Sequence, residues 1–214
     1  VLNGAFWNMG ENCSASSRLI VHESVKQKLM EHILAHARDW RMGDPLDPQN
    51  RVGALVSKAH YDKVCAYLGA AEKEAVRRVL GGEPGDNNMI APSIYELDNP
   101  QLNLAREEIF GPVLSVLTVK SNDEAVSLAN DTSYGLSAAV FSSSIRNALR
   151  AARTIRAGTV TINCFGEGDI STPFGGFRQS GFGGRDNSIH AHDQYTQLKT
   201  IWIDLSDDED EAVA

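Results

Sequence analysis

Apolar residues recur at helical spacing after Ser24, where Val25, Leu29, Ile33, Ala37 and Trp40 form one stripe. Ser24-x-x-Gln27 reads as a capping box, so a helix is expected to begin at Ser24. The turn chemistry of Gly43-Asp44-Pro45-Leu46-Asp47-Pro48 ends it. A second helix is expected from about Ser57, with Tyr61, Val64, Cys65 and Leu68 on one face, which makes Cys65 a core residue. Val1 to Ala5 reads as the end of a further helix. Arg77 to Leu80 is a short strand closed by Gly81-Gly82, and Met89 to Tyr95 is another run, interrupted by Pro92. Val113-Leu114-Ser115-Val116-Leu117-Thr118-Val119 is almost continuously apolar, as in a strand buried on both faces of a sheet. Ser121-x-x-Glu124 then caps a helix that turns Ala125, Val126, Leu128 and Ala129 inward. Leu136 to Phe141, Ile145 to Ile155 and Gly158 to Ile162 follow as strand, helix and strand.

This alternation predicts an α/β fold, a mainly parallel sheet covered by helices. Gly166 to Asp186 is too long and too rich in Gly and Phe for a plain connection, so a function is expected of it. Gln194 to Ile203 is rich in β formers and lies beyond the α/β unit. It is expected to pair elsewhere, including with a second copy of the chain.

Composition narrows the classes. The 214 residues are 42% hydrophobic and 22% charged, as in a soluble globular domain with one substantial core. No apolar run approaches a membrane span and no secretory leader heads the sequence. The three cysteines are odd in number and widely spaced, so no disulfide framework is expected and a reducing, cytoplasmic setting fits. Of the net charge of −8, Asp207-Asp208-Glu209-Asp210-Glu211 contributes −5, leaving −3 for the rest. That disfavours a nucleic-acid surface and marks residues 206–214 as an acidic, solvated tail. His32/His36 and His190/His192 fall in no zinc pattern, and no metal site is expected.

The candidate chemistry begins at Cys13, on a turn after Gly10 among small and polar residues. Backbone N–H groups at such a turn can hold a thiol as the thiolate that a covalent nucleophile needs. A buried, inert cysteine is the alternative on local residues alone. Glu107-Glu108-Ile109-Phe110-Gly111-Pro112-Val113 enters the buried strand, and locally its carboxylates read as solvated surface acids with Phe110 in the core.

Gly10-Glu11-Asn12-Cys13-Ser14-Ala15-Ser16-Ser17-Arg18 resembles the active-site segment of the aldehyde dehydrogenase superfamily, with Glu11 where Gln is usual. Glu107 to Val113 resembles the segment that follows, residue for residue. Tyr134 to Phe141, and Ala157 to Asn163 with Pro173 to Gly181, resemble two more in the same order. The resemblance implies that Cys13 is the nucleophile, that Glu108 binds the nicotinamide ribose, and that Phe110 packs near the nicotinamide of NAD or NADP. It implies a small-molecule aldehyde substrate, met by Trp7, Asn12, Ser14, Glu167, Asp169 and Phe174. Glu167 and Asp169 would hold an ammonium or guanidinium group by charge-assisted hydrogen bonds, or are simply solvent-facing acids. Trp7 and Phe174 would add an aromatic wall. Gly168 to Gly176 and Leu198 to Ile203 look most like dehydrogenases of amino-, guanidino- or γ-glutamylamino-aldehydes in polyamine breakdown.

On that resemblance residues 1–193 are a catalytic domain, truncated at its N-terminus and without its nucleotide-binding domain. Residues 194–205 are an oligomerisation strand for a dimer or tetramer. The general-base carboxylate and the side-chain amide donor of the family would precede Val1, so little aldehyde turnover is expected of these residues alone. Two other readings remain: a non-catalytic oligomerisation or binding module, and a thiol esterase acylated at Cys13.

Overall fold

The computed structural model describes residues 1–74, 76–166 and 168–205, so Glu167 and the acidic tail lie outside the described residues. The chain runs α1 (Leu2–Phe6), β1 (Arg18–His22), α2 (Glu23–Ala37), β2 (Arg41–Met42), β3 (Asn50–Val52), α3 (Lys58–Lys73), β4 (Arg77–Leu80), β5 (Ser93–Leu97), α4 (Asn103–Arg106), β6 (Val113–Val119), α5 (Asn122–Asn130), β7 (Ser137–Val140), α6 (Ile145–Thr154) and β8 (Thr159–Ile162). The main sheet has the order β1-β6-β5-β4. In it β1 and β5 both lie parallel to β6, with Arg18 opposite Ser115 and Ser93 opposite Val113. Only β4 runs antiparallel, against β5, because residues 81–92 return without the helical crossover that a parallel pair requires. Two small parallel pairs, β2–β3 and β7–β8, stand apart from it. The mainly parallel α/β architecture therefore holds, in three pieces rather than one.

The strand β6 is the middle of the core. Its side chains alternate, so Val113 and Leu117 join Val64, Leu68, Tyr95 and Leu104 on the side of α3 and α4. Leu114 and Val116 join Phe6, Met30, Ile33 and Trp40 on the side of α1 and α2. Burial on both faces is the reason that this strand has almost no polar position. Of its two polar residues Thr118 is exposed, while Ser115 is buried and donates its hydroxyl to the Leu104 carbonyl at 2.7 Å.

Helix starts follow their caps. The hydroxyls of Ser57, Ser121 and Ser144 accept from the N–H groups of His60, Glu124 and Asn147. The helix expected to begin at Ser24 starts one residue before it. Helix α2 begins at Glu23, and its N-cap is His22, whose ring Nδ1 accepts from the Ser24 N–H at 3.2 Å. Val25 accordingly lies 52% exposed, off the buried face that Met30, Ile33 and Ala37 form. The run Met89–Tyr95 also shifts. Pro92 has no N–H to donate, so the ladder starts at Ser93 and runs to Leu97, while Met89 and Ile90 make isolated bridges.

At the other end, Arg18 reaches from β1 to the last carbonyls of α5, with Nη1 at 3.3 Å from Leu128 O and Nη2 at 3.1 Å from Ala129 O. A cation there satisfies carbonyls the helix cannot. The expected strand at residues 194–205 carries no ladder among the described residues: Gln194 ends a 3-10 turn and 196–205 are irregular. Its apolar side chains, Leu198, Ile201, Trp202 and Ile203, are exposed. A β-former sequence becomes a strand only beside a partner edge, and none of the described residues supplies one. No described helix is long and apolar enough to cross a membrane.

Candidate active site

The residues after α1 form a tight 3-10 turn in which Asn8, Met9 and Gly10 all have positive φ, at 51°, 58° and 70°. Asn tolerates that region and Gly has no Cβ to oppose it, whereas Met does so at a cost. The turn is closed by the Glu11 N–H on Asn8 O (2.9 Å) and by Asn8 Nδ2 on Glu11 O (3.0 Å). A second turn follows, with the Ala15 N–H on Asn12 O at 2.9 Å, and Ser16 N–H then ties it to Gly4 O at 2.7 Å. Cys13 sits between these anchors, exposed to solvent, with its Sγ 3.9 Å from Asn12 Oδ1. It is not the inert core cysteine. Half-buried Cys65, on α3 and packed against the core, fits that description better.

Asn12 donates through Nδ2 to Ser14 Oγ at 2.8 Å. Ser14 was expected on the substrate side, yet it is 2% exposed and faces inward, bracing Asn12. Its carbonyl accepts from the Ser137 hydroxyl at 3.3 Å, which joins the start of β7 to the cysteine turn.

The second turn, Glu107 to Pro112, enters β6 and is mounted on one face of α3. His60, Lys63 and Tyr67 occupy that face at helical spacing. His60 Nε2 lies 2.6 Å from Phe110 O, Lys63 Nζ donates to Glu108 O at 3.2 Å, and Tyr67 donates to Glu107 Oε2 at 2.5 Å. The carboxylate of Glu107 holds the Tyr67 proton, and with burial pushes the phenol up to about 12. These three polar residues escaped sequence reasoning, since polar positions on a helix ordinarily mean a solvated face. Phe110 has a φ of 61°, a rare conformation for an aromatic residue that the His60 bond and an edge-on His60 ring at 6.3 Å hold in place. The Glu108 side chain is exposed and has no hydrogen bond or ion pair among the described residues, so its carboxylate is open to a ligand.

The two turns touch backbone to backbone. A Cβ built on Gly10 would sit 2.6 Å from the Gly111 carbonyl carbon and closer still to its oxygen, so no other residue fits there. Glu11 adds a side-chain link. Its Oε1 accepts the Val56 N–H at 3.0 Å, just ahead of α3, and lies 3.4 Å from His60 Nε2. A carboxylate at that position also meets the positive end of the α3 dipole.

The long loop after β8 approaches from the α1 side. The Phe165 ring lies against Gly4, where a Cβ would come within 3.2 Å of it and 3.1 Å of Ser16 Oγ. Phe165 thus stands beside the cysteine turn, and nothing in its sequence context marked it. Phe174 is half-buried and paired with Asp186 through both backbone groups, at 2.8 and 2.7 Å. Asp169 is exposed, and its Oδ1 accepts both the N–H (2.7 Å) and the hydroxyl (2.5 Å) of Ser171, which lowers its pKa. One oxygen of the expected cation-binding carboxylate is therefore engaged in its own turn. Trp7 is 60% exposed. Among the described residues no hydrogen bond or ring contact joins Trp7, Asp169 and Phe174 to one another, and Glu167 lies outside them.

A cleft of about 690 Å³ lies elsewhere, at the C-terminal ends of α5 and α6, lined by Asn130, Arg153, Arg156 and Arg178 among others. It holds none of the expected site residues. Arg178 donates there to the carbonyls of Asn130 (2.9 Å) and Thr132, so its guanidinium closes the end of α5.

A sequence model of the aldehyde dehydrogenase family matches residues 1–201. The chain is 61% identical over 206 residues to an aminoacetaldehyde dehydrogenase of Pseudomonas aeruginosa, covering 96% of this chain and 42% of that protein. It is 41% identical over 202 residues to the NADP/NAD-dependent aldehyde dehydrogenase PuuC of Escherichia coli, covering 94% of this chain and 41% of that one. Among solved structures, an indole-3-acetaldehyde dehydrogenase of P. syringae in complex with NAD+ and IAA superposes with a TM-score of 0.90 at 42% identity. That match covers 95% of this chain and 42% of the other. The chain thus spans about 42% of the length of these relatives.

Proposed function

The chain belongs to the aldehyde dehydrogenase family, and from that premise we propose that it supplies the nucleophile and the ribose-binding carboxylate for NAD(P)-dependent oxidation of an aldehyde. The observation that carries this reading is the contact of Gly10 with Gly111, which sets the exposed Cys13 turn against the turn bearing Glu108 and Phe110.

The residues fit the cofactor. Glu108 has an exposed carboxylate without a protein partner among the described residues, suited to accept from both hydroxyls of a ribose. Phe110, fixed in its left-handed conformation, offers an aromatic surface two residues on. NAD or NADP, when bound, supplies the hydride acceptor. The chain's own part is on the thiol. The Cys13 thiolate adds to the aldehyde carbon, and the Cys13 backbone N–H helps to hold the resulting oxyanion. After the substrate carbon is oxidised, a thioester remains on Sγ, and water releases the acid. The base that activates this water is assigned to none of the residues of this chain.

The substrate class is an aldehyde with an amine or amide-bearing tail, by likeness to the relative named for aminoacetaldehyde. The free Oδ2 of Asp169 is the cation acceptor on this reading. Residues 194–205, with Leu198, Ile201, Trp202 and Ile203 exposed, are assigned to pairing with a second copy in a homo-oligomer.

An activated ester tests the centre of the proposal directly. The 214-residue chain with 4-nitrophenyl acetate is expected to release one burst of nitrophenolate per Cys13, with the acetyl group found on Cys13 by mass spectrometry. An unchanged burst from Cys13→Ala would sink the assignment. In the complete polypeptide, kcat/KM for an aminoaldehyde should exceed that for a neutral alkyl aldehyde, and a reversed order would remove the substrate class while leaving the nucleophile.

A further inference from the structure

Glu11 and His60 belong to neither the nucleophile nor the ribose carboxylate, yet they are the side chains through which the two turns meet. The Glu11 side chain is 10% exposed and that of His60 14%. The Phe110 carbonyl can only accept, so the 2.6 Å contact places the hydrogen of His60 on Nε2. His60 Nε2 also lies 3.4 Å from Glu11 Oε1, within ion-pair distance, and that oxygen is already held by the Val56 N–H at 3.0 Å. One ring nitrogen therefore stands between the residue two before Cys13 and the residue two after Glu108.

We infer that Glu11 and His60 form a clamp that sets the spacing of the Cys13 and Glu108 turns, with His60 as a positioning residue for the hydride-transfer geometry. The inference rests on the proposed dehydrogenase chemistry and deepens it. The backbone around the clamp supports it. Asn8, Met9 and Gly10 on one side and Phe110 on the other have positive φ, so neither turn is held by ordinary backbone preference. Gly10 and Gly111 bring the chains together without any side chain between them, leaving Glu11 and His60 as the lateral tie. The hydrogen bond to Glu11 comes from the Val56 N–H, and His60 Nε2 stands 3.4 Å from the same oxygen. An amide oxygen accepts the Val56 N–H as well, so the clamp tolerates Gln at this position but not a group without an acceptor.

The test separates positioning from simple support of the fold. In the 214-residue chain, hydrogen–deuterium exchange is followed in residues 8–14 and 107–112, together with the alkylation rate of Cys13 by iodoacetamide. His60→Leu and Glu11→Ala are each expected to speed exchange in both segments and to change the alkylation rate. Glu11→Gln and His60→Gln, which keep an acceptor and a donor, should restore both readouts. In the complete polypeptide, His60→Leu should raise the KM for NAD and lower kcat together, with kcat/KM falling about 10-fold or more, as expected of a displaced positioning group. If His60→Leu loosens only residues 107–112 and leaves residues 8–14 and Cys13 alkylation unchanged, the clamp is overturned. That outcome is distinct from failure of the underlying reading, which would appear as ester acylation that survives Cys13→Ala. A variant that fails to fold is recognised by its melting curve, and the Glu11→Gln and His60→Gln pair then carries the test. Loss of order in both segments despite the retained donor and acceptor would overturn the clamp as well.

Discussion

Gly10→Ala is the most informative single change in this chain. Gly10 has a φ of 70°, and holding an L-residue in the left-handed region costs about 1–2 kcal/mol. The new methyl would also meet Gly111 C at 2.6 Å and Ala5 O at 3.1 Å. These are backbone atoms, unable to swing aside as a flexible side chain would, and such overpacking adds roughly 1–3 kcal/mol. The total of about 2–5 kcal/mol corresponds to a fall in Tm of roughly 5–15 °C for a chain of this size. Gly69→Ala is the control. Gly69 lies inside α3 with nothing within 4 Å of the added Cβ, so helix propensity should raise stability by about 0.5–1 kcal/mol. Differential scanning calorimetry reads both, and iodoacetamide labelling of Cys13 reports whether the turn itself has moved. If Gly10→Ala melts within about 2 °C of the parent and labels at the same rate, the two turns are not packed backbone to backbone, and the site argument fails with them.

Two further outcomes are expected. Because the Tyr67 phenol is raised to about 12, stability linked to it is intact below the unfolded pKa near 10 and is lost as pH climbs toward 12. Urea unfolding of Tyr67→Phe between pH 9 and 11 should therefore show a shallower alkaline loss than the parent, and parallel curves would refute the Glu107 bond. Truncating the chain after Tyr195 should shift Tm by no more than about 1 °C, as the side chains of residues 196–205 lie on the surface, but reduce the mass in light scattering to that of one copy. An oligomer that survives the deletion, or a parent that is already a single copy, would dismiss the segment as an assembly strand.

Most of the scaffold was legible in the sequence because its signals are local. The serine cap at residue 121, the helix start near Ser57 and the apolar run Val113–Val119 each carry their own physical cause, and the structure keeps them. The misread start of α2 shows the limit of such signals. Ser24 has the composition of a cap, but the helix starts one residue earlier and the ring of His22 accepts the N–H of Ser24 itself. Strand pairing was less visible, since nothing in Arg77–Leu80 announces an antiparallel neighbour, and Gln194–Ile203 has strand composition with no edge to join among the described residues. Cys13, Glu108 and Phe110 came from segment resemblance rather than from periodicity. Their mounting on His60, Lys63 and Tyr67 was not legible, because a polar helix face looks alike whether it meets water or another turn. Ser14 was misplaced for a related reason: a small hydroxyl beside Cys13 reads as exposed until the turn is seen to rotate it inward.

The attachment of both turns to α3 has a mechanical meaning. Through His60, and through Val56 just ahead of its cap, the helix holds the Cys13 turn, and through His60, Lys63 and Tyr67 it holds the Glu108 turn. A tilt or slide of α3 therefore carries both along as a common displacement, and the gap between sulfur and carboxylate, set by their difference, stays nearly constant. Thermal motion of the mount is rejected in the way that a balanced instrument rejects vibration shared by its two arms.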